Sequence, residues 1–198
     1  MVEIITECPH FFTATNLYWK KLLEPDKYKN IIINSMKFLV EEKRVIVYGF
    51  VIMPNHIHLL WHLLAGKIRE DVQRDFLRHT AQEIKSDTLI SNPDGLKPYL
   101  INAKDRKYQF WERNALSVEI WSEKVLIQKL KYIHENPVRA GLCKYPIDYK
   151  YSSAFLYKTG IYNWGFLTHF EIGEPDSRFV GRLNTMPTHH TNNGVFLS

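Results

Sequence analysis

Residues 45–63, VIVYGFVIMPNHIHLLWHL, form an almost unbroken apolar run, rich in β-branched and aromatic side chains. Such a run is short for two helices and suits two strands. Pro54–Asn55 supplies a turn signal in its middle. The stretch is therefore predicted to be a β-hairpin, VIVYGFVIM followed by HIHLLWHL. Successive strand side chains alternate faces, so His56 and His58 share one face and Ile57 takes the other. Their Cβ atoms stand about 6–7 Å apart, close enough for two imidazoles to converge on one cation. An isolated pair at this spacing is equally consistent with two half-buried histidines at a strand end. His62 shares the face but lies about 13 Å beyond His58 along an extended strand, too far for the same ion.

The remaining pattern sets the fold class. HFFTATNLYW (10–19) has strand composition. In residues 25–44, Ile31, Ile32, Met36, Leu39 and Val40 recur at helical spacing. A second helix is predicted over residues 67–86, with Ile68, Val72, Phe76, Thr80 and Ile84 down one side. Residues 91–98 form a loop. KYQFWERNALSVEIWS (107–122) is predicted as a Trp-rich strand or hairpin segment. Ser122 then caps a helix carrying Val125, Leu126, Leu130 and Ile133 on its apolar stripe, which Pro137 is expected to end. The order β-α-β-β-α-β followed by a helix indicates an α+β fold. It is ferredoxin-like or RRM-like, an antiparallel sheet with helices on one face, plus an extra helix. The expected division is a domain over residues 1–158 and a partly ordered C-terminal extension over 159–198. The His189–His190 pair in that extension suits solvated residues better than ligands.

Composition narrows the function classes. The chain has 198 residues and 45% hydrophobic content, enough for one packed domain. It contains no apolar run long enough to span a membrane and begins with no basic-then-apolar signal pattern. Two cysteines, Cys8 and Cys143, make neither a disulfide framework nor a zinc-knuckle spacing, so a cytoplasmic setting is expected. There are 26 Lys and Arg against 21 Asp and Glu, and 14% of residues are aromatic. Cations for phosphates and rings for bases suit single-stranded nucleic acid, as they also suit a mildly basic enzyme.

A metal on His56 and His58 needs a further ligand. The HxHxDH pattern of metallo-β-lactamases is absent, since Leu60 and Trp61 occupy the Asp and His positions, and the paired HxT/S motifs of two-histidine phosphoesterases are absent too. In the last helix, Gln128, Tyr132 and Asn136 fall on one face. A phenol and a carboxamide one turn apart could both meet the histidines if that helix packs near the sheet. Asn136 could be a third ligand. Tyr132 could be a nucleophile or a hydrogen-bonding side chain, which is the commoner role of a helical tyrosine.

MPNHIHLLW (53–61) together with YIHENPVRAGL (132–142), about 75 residues later, resembles the single-tyrosine HUH transposases, especially the REP-associated tyrosine transposases. YPIDYKYSSAFLY (145–157) is similar to that family as well, and the match spans roughly residues 10–157. The resemblance implies that His56 and His58 bind Mg²⁺ or Mn²⁺, that Tyr132 is the nucleophile, and that Asn136 completes the metal site, where many members carry Gln. It also implies a homodimer with a ferredoxin-like core, with Tyr132 acting in cis or in trans, and a single-stranded DNA substrate with hairpin structure. Mixed nitrogen and oxygen ligation suits Mn²⁺ better than Mg²⁺.

The implied reaction is a transesterification through a 5′-phosphotyrosine. No general base is evident in the sequence; Lys129 could help to activate the tyrosine. Arg74, Arg78, Lys129 and Arg139 are the candidate DNA contacts, each also explicable as a solvated surface charge. Trp111 could stack a base or sit in the core. A non-catalytic single-stranded DNA or RNA binding module on the same fold is the alternative function. A zinc hydrolase using the same histidines is a third reading, with water as the attacking group.

Overall fold

The computed structural model describes residues 8–64, 66–101 and 103–170. Its centre is the hairpin. Strand β2 (Val45–Ile52) pairs antiparallel with β3 (His56–Leu63), the two joined through the Pro54–Asn55 turn. β1 (His10–Thr15) pairs antiparallel with the other edge of β3, and β4 (Leu116–Glu119) with the far edge of β1. The resulting four-stranded sheet has the order β2-β3-β1-β4. With α1 (Asp26–Glu41) after β1 and α2 (Arg69–Ser91) after β3, this is the ferredoxin-like arrangement that the sequence order implies.

Strand alternation divides the sheet into two apolar faces. Phe12, Ile57, Leu59 and Trp61 point to one face, where they bury against Ile32, Met36 and Leu39 of α1 and Val72, Phe76 and Ile84 of α2. Phe11, Val51 and Leu60 point to the other, under Leu126, Leu130 and Ile133 of α3 (Glu123–Arg139). Each such aliphatic side chain contributes about 1.5–3 kcal/mol when fully buried. A sheet covered on both sides explains why both arms of the hairpin are apolar throughout. It also puts α3 on the face that carries His56 and His58.

One irregularity lets α3 come close. The β2–β3 register shifts between Val47 and Gly49, a β-bulge. A Cβ at Gly49 would stand 2.5 Å from Leu130 Cδ2, so any larger residue here would force Leu130 to shift. Ser153, just before α4 (Ala154–Thr159), adds a polar tie: its Oγ accepts from Phe50 N–H at 3.0 Å and lies 2.9 Å from His134 Nε2. Beyond α4 the chain returns to β2, where Thr168 N–H donates to Val47 O and Phe170 is buried against Tyr48. Residues 171–198, including His189 and His190, lie outside the described residues.

Several sequence-based boundaries move. β1 ends at Thr15 rather than continuing to Trp19, because the chain turns sharply at Leu17–Trp19. α2 runs on to Ser91, and short 3-10 turns over Pro93–Tyr99 replace the expected loop. The Trp-rich segment 107–122 contributes only the strand Leu116–Glu119. Trp111 is a core residue, its indole N–H donating to Thr80 Oγ1 at 3.1 Å. Ser122 caps α3 as expected, accepting from Val125 N–H, but Pro137 does not end the helix. Proline removes only its own N–H, and the last turn still closes through Ala140 N–H to Asn136 O.

Candidate active site

The site forms where β1, β3 and α3 meet. Cross-strand register sets His58 opposite Thr13 and His56 opposite Thr15. The His56 and His58 rings converge to 4.8 Å between centroids. Each imidazole is held by its Nδ1. Thr13 Oγ1 lies 2.7 Å from His58 Nδ1, and Asn55 Oδ1 lies 2.7 Å from His56 Nδ1. The Asn55 carboxamide oxygen is an acceptor, an arrangement that suits a proton on His56 Nδ1 and a free lone pair on Nε2. Phe11 stacks on the His58 ring at 5.2 Å and fixes its plane.

α3 brings the other side chains. Tyr132 stands edge-on to His58, 5.2 Å between centroids, and remains 38% exposed. Asn136, one turn later, hydrogen-bonds the His56 side chain. Lys129, one turn earlier, places its ammonium 4.5 Å from the centre of the Phe11 ring. Arg139 lies over the Tyr132 ring at 5.6 Å and donates to Glu135 Oε2. Spacing of three and four residues on one helix is what gathers these groups on one face.

The electrostatics favour neutral imidazoles. Burial lowers the pKa of His58 to about 3, with the charges of His56 and Lys129 adding to the effect. Burial also lowers that of His56, opposed by the Asn136 side chain, which accepts from the protonated ring. Deprotonated imidazole is the form that binds a metal.

The donors fit a divalent ion. His58 Nε2 is buried without a hydrogen-bond partner, an expensive arrangement that a ligand would relieve. Among the described residues no cluster of three His, Cys, Asp or Glu side chains could hold a metal. A site here would combine the two histidines with the Asn136 carboxamide and leave positions open for substrate oxygens.

Of the residues singled out in the sequence, His56, His58, Tyr132, Asn136, Lys129 and Arg139 come together. Arg74 and Arg78 do not. They lie on α2, which covers the opposite face of the sheet, and they pair with Asp71 and Asp75. His62 is buried further along β3, beside Tyr48. Sequence reasoning missed Thr13, Asn55, Phe11 and Trp19. Asn55 was within reach as the direct neighbour of His56. Thr13 and Phe11 depend on the β1–β3 register, and Trp19, 5.7 Å from His56, on the turn after β1.

No protein-family model matches the chain, and no curated protein matches it significantly. Among solved structures, a REP-associated tyrosine transposase bound to a REP hairpin is similar at 20% identity and a TM-score of 0.57, over 88% of this chain and 94% of that one. A protein from Deinococcus radiodurans R1 described as a candidate transposase aligns at 14% identity and a TM-score of 0.47, over 66% of this chain and 92% of that one. Among the described residues no helix is long and apolar enough to cross a membrane. The protein has the α+β fold of the REP-associated tyrosine transposase.

Proposed function

We propose that the protein is a transposase-type DNA strand transferase that cleaves and rejoins single-stranded DNA through Tyr132. The observation that carries the reading is the meeting, within one chain, of an exposed phenol with two neutral histidines and a carboxamide. The site needs no residue from a second copy, so the reading places Tyr132 in cis and does not depend on a homodimer.

Tyr132 Oη attacks a backbone phosphorus. The new O–P bond replaces the bond from phosphorus to the 3′ oxygen, which leaves as a hydroxyl after taking up a proton. The product is a 5′-phosphotyrosine, and a 3′-hydroxyl attacking it in the reverse sense rejoins a strand. Phosphate ester is exchanged for phosphate ester, so no nucleotide cofactor is required. His56, His58 and Asn136 would hold Mn²⁺ or Mg²⁺, which supplies a Lewis acid for a non-bridging phosphate oxygen. Lys129, over the Phe11 ring, and Arg139, over the Tyr132 ring and paired with Glu135, are the cations available to a phosphodiester at Tyr132. Thr13 and Asn55 hold the imidazoles in orientation. A hairpin in the DNA is the substrate feature suggested by the solved relative, which was bound to a REP hairpin.

The test is incubation with labelled single-stranded DNA from the flanks of the protein's own gene and Mn²⁺, followed by a denaturing gel. A protease-sensitive shifted band is expected for the wild type and not for Tyr132→Phe. Cleavage that survives Tyr132→Phe points to a hydrolase in which water attacks. Binding with no adduct on any flank sequence points to a non-catalytic module.

A further inference from the structure

The turn after β1 carries two consecutive aromatic residues in the left-handed region, Tyr18 at φ 55° and Trp19 at φ 56°. That conformation strains any residue with a Cβ and is normally left to glycine. Both side chains are also turned out to solvent, Tyr18 69% and Trp19 63% exposed.

The turn is nevertheless fastened on two sides. Asn16 N–H donates to Asn55 O and Leu23 N–H to Pro54 O, tying it to the β2–β3 turn that precedes His56. Leu17 N–H donates to Phe110 O, and Tyr18 N–H to Glu112 Oε1 at 2.7 Å. Trp19 N–H closes the turn on Asn16 O. These bonds hold the Trp19 ring 5.7 Å from that of His56, at an interplanar angle of 65°. A large exposed indole is thereby fixed at the edge of the phosphate site. Lys20 adds a cation 4.9 Å from the Tyr18 ring.

We propose that Trp19 is a stacking platform for the nucleobase next to the phosphodiester held at His56 and His58, with Tyr18 beside it. The inference rests on the single-stranded DNA reading above. A base has a π face whatever its identity, so a rigid indole beside the phosphate site can locate the strand without reading its sequence. A ring that positions the neighbouring base also sets which phosphate is presented to Tyr132. That assigns Trp19 a positioning role, separate from the chemistry.

The test uses the full chain with Mn²⁺ and a single-stranded oligothymidylate in which some thymines are replaced by 5-iodouracil. Irradiation should crosslink the probe to the peptide containing Trp19. Trp19→Ala and Trp19→Gly should weaken binding by roughly 5- to 150-fold, the range of one lost base stack. Trp19→Phe should retain most of the affinity. The melting temperature of Trp19→Gly should not fall below that of the wild type, because glycine accepts the positive φ; a merely structural tryptophan would behave in the opposite way. Wild-type affinity in Trp19→Ala and Trp19→Gly, with crosslinks elsewhere, would overturn the proposal and leave the DNA reading standing. A wild type that binds no single-stranded DNA would overturn both.

Discussion

Tyr132 on α3 and His58 on β3 meet edge-on with 5.2 Å between ring centroids, although α2 and β4 lie between them in sequence. On the same helix Leu130 packs against β2 directly over Gly49, where a side chain would crowd it. The site thus joins residues of two strands, β1 and β3, to one face of α3.

Gly49→Ala tests that packing. The added methyl meets Leu130 at a distance no real pair of atoms adopts, so the leucine or the whole helix must move. Overpacking of this kind costs about 1–3 kcal/mol. A displacement of 1 Å at a reacting group can cost on the order of 100-fold in rate. The variant should therefore melt earlier and lose adduct formation further than its folded fraction explains, as a melting curve beside single-turnover kinetics will show.

Thr13→Val removes the partner of His58 Nδ1 while keeping the shape of the side chain. A buried nitrogen left unpaired costs about 1–3 kcal/mol. Loss of the group that orients a metal-binding histidine lowers metal affinity about 10- to 100-fold. Calorimetric titration with Mn²⁺ should show the weaker binding. Unchanged affinity would mean that Phe11 stacking alone orients His58.

Metal binding should appear as stability. A ligand present at 100 times its dissociation constant stabilises the native state by about 2.7 kcal/mol. For a chain of this size that raises the melting temperature by roughly 5–10 °C. Mn²⁺ should raise the melting temperature of the wild type, EDTA should reverse the rise, and His58→Ala should show none.

The hairpin and the order of elements were legible in the sequence, and the resemblance singled out His56, His58, Tyr132 and Asn136, which the fold brings close together. Apolar runs, turn residues and 3.6-residue spacing are local signals, and His56, His58, Tyr132 and Asn136 sit on strongly patterned elements. What was not legible depends on contacts between distant segments. Thr13 has no signature in β1 and acquires its role only from the register that sets it opposite His58. The close approach of Leu130 to β2 falls at a glycine beside a bulge, which no local pattern marks. Arg74 and Arg78 carry charges that spacing alone could not assign to the opposite face of the sheet. Pro137 was read as a stop because proline ends helices more often than it rides in their last turn.

Acid should destabilise the fold through His134. Burial lowers its pKa to about 4, against 6.5 in an exposed chain. Between those values the unfolded state binds the proton and the folded state does not, so stability is full above pH 6.5 and falls as pH drops toward 4. At pH 5 the loss from this one group is on the order of 2 kcal/mol. His56 and His58 shift in the same direction and add to it. Denaturant midpoints at pH 7.5 and pH 5 should differ accordingly, and His134→Gln should narrow the difference.

The most direct measurement is the site of attachment. Wild-type protein is incubated with single-stranded DNA and Mn²⁺, the DNA is trimmed with nuclease, and tryptic peptides are weighed. The account predicts a nucleotide joined through its 5′ phosphate to Tyr132, on the peptide that begins there and ends at Arg139. A nucleotide on Tyr145, Tyr149 or Tyr151, or cut DNA with no modified peptide, would contradict it.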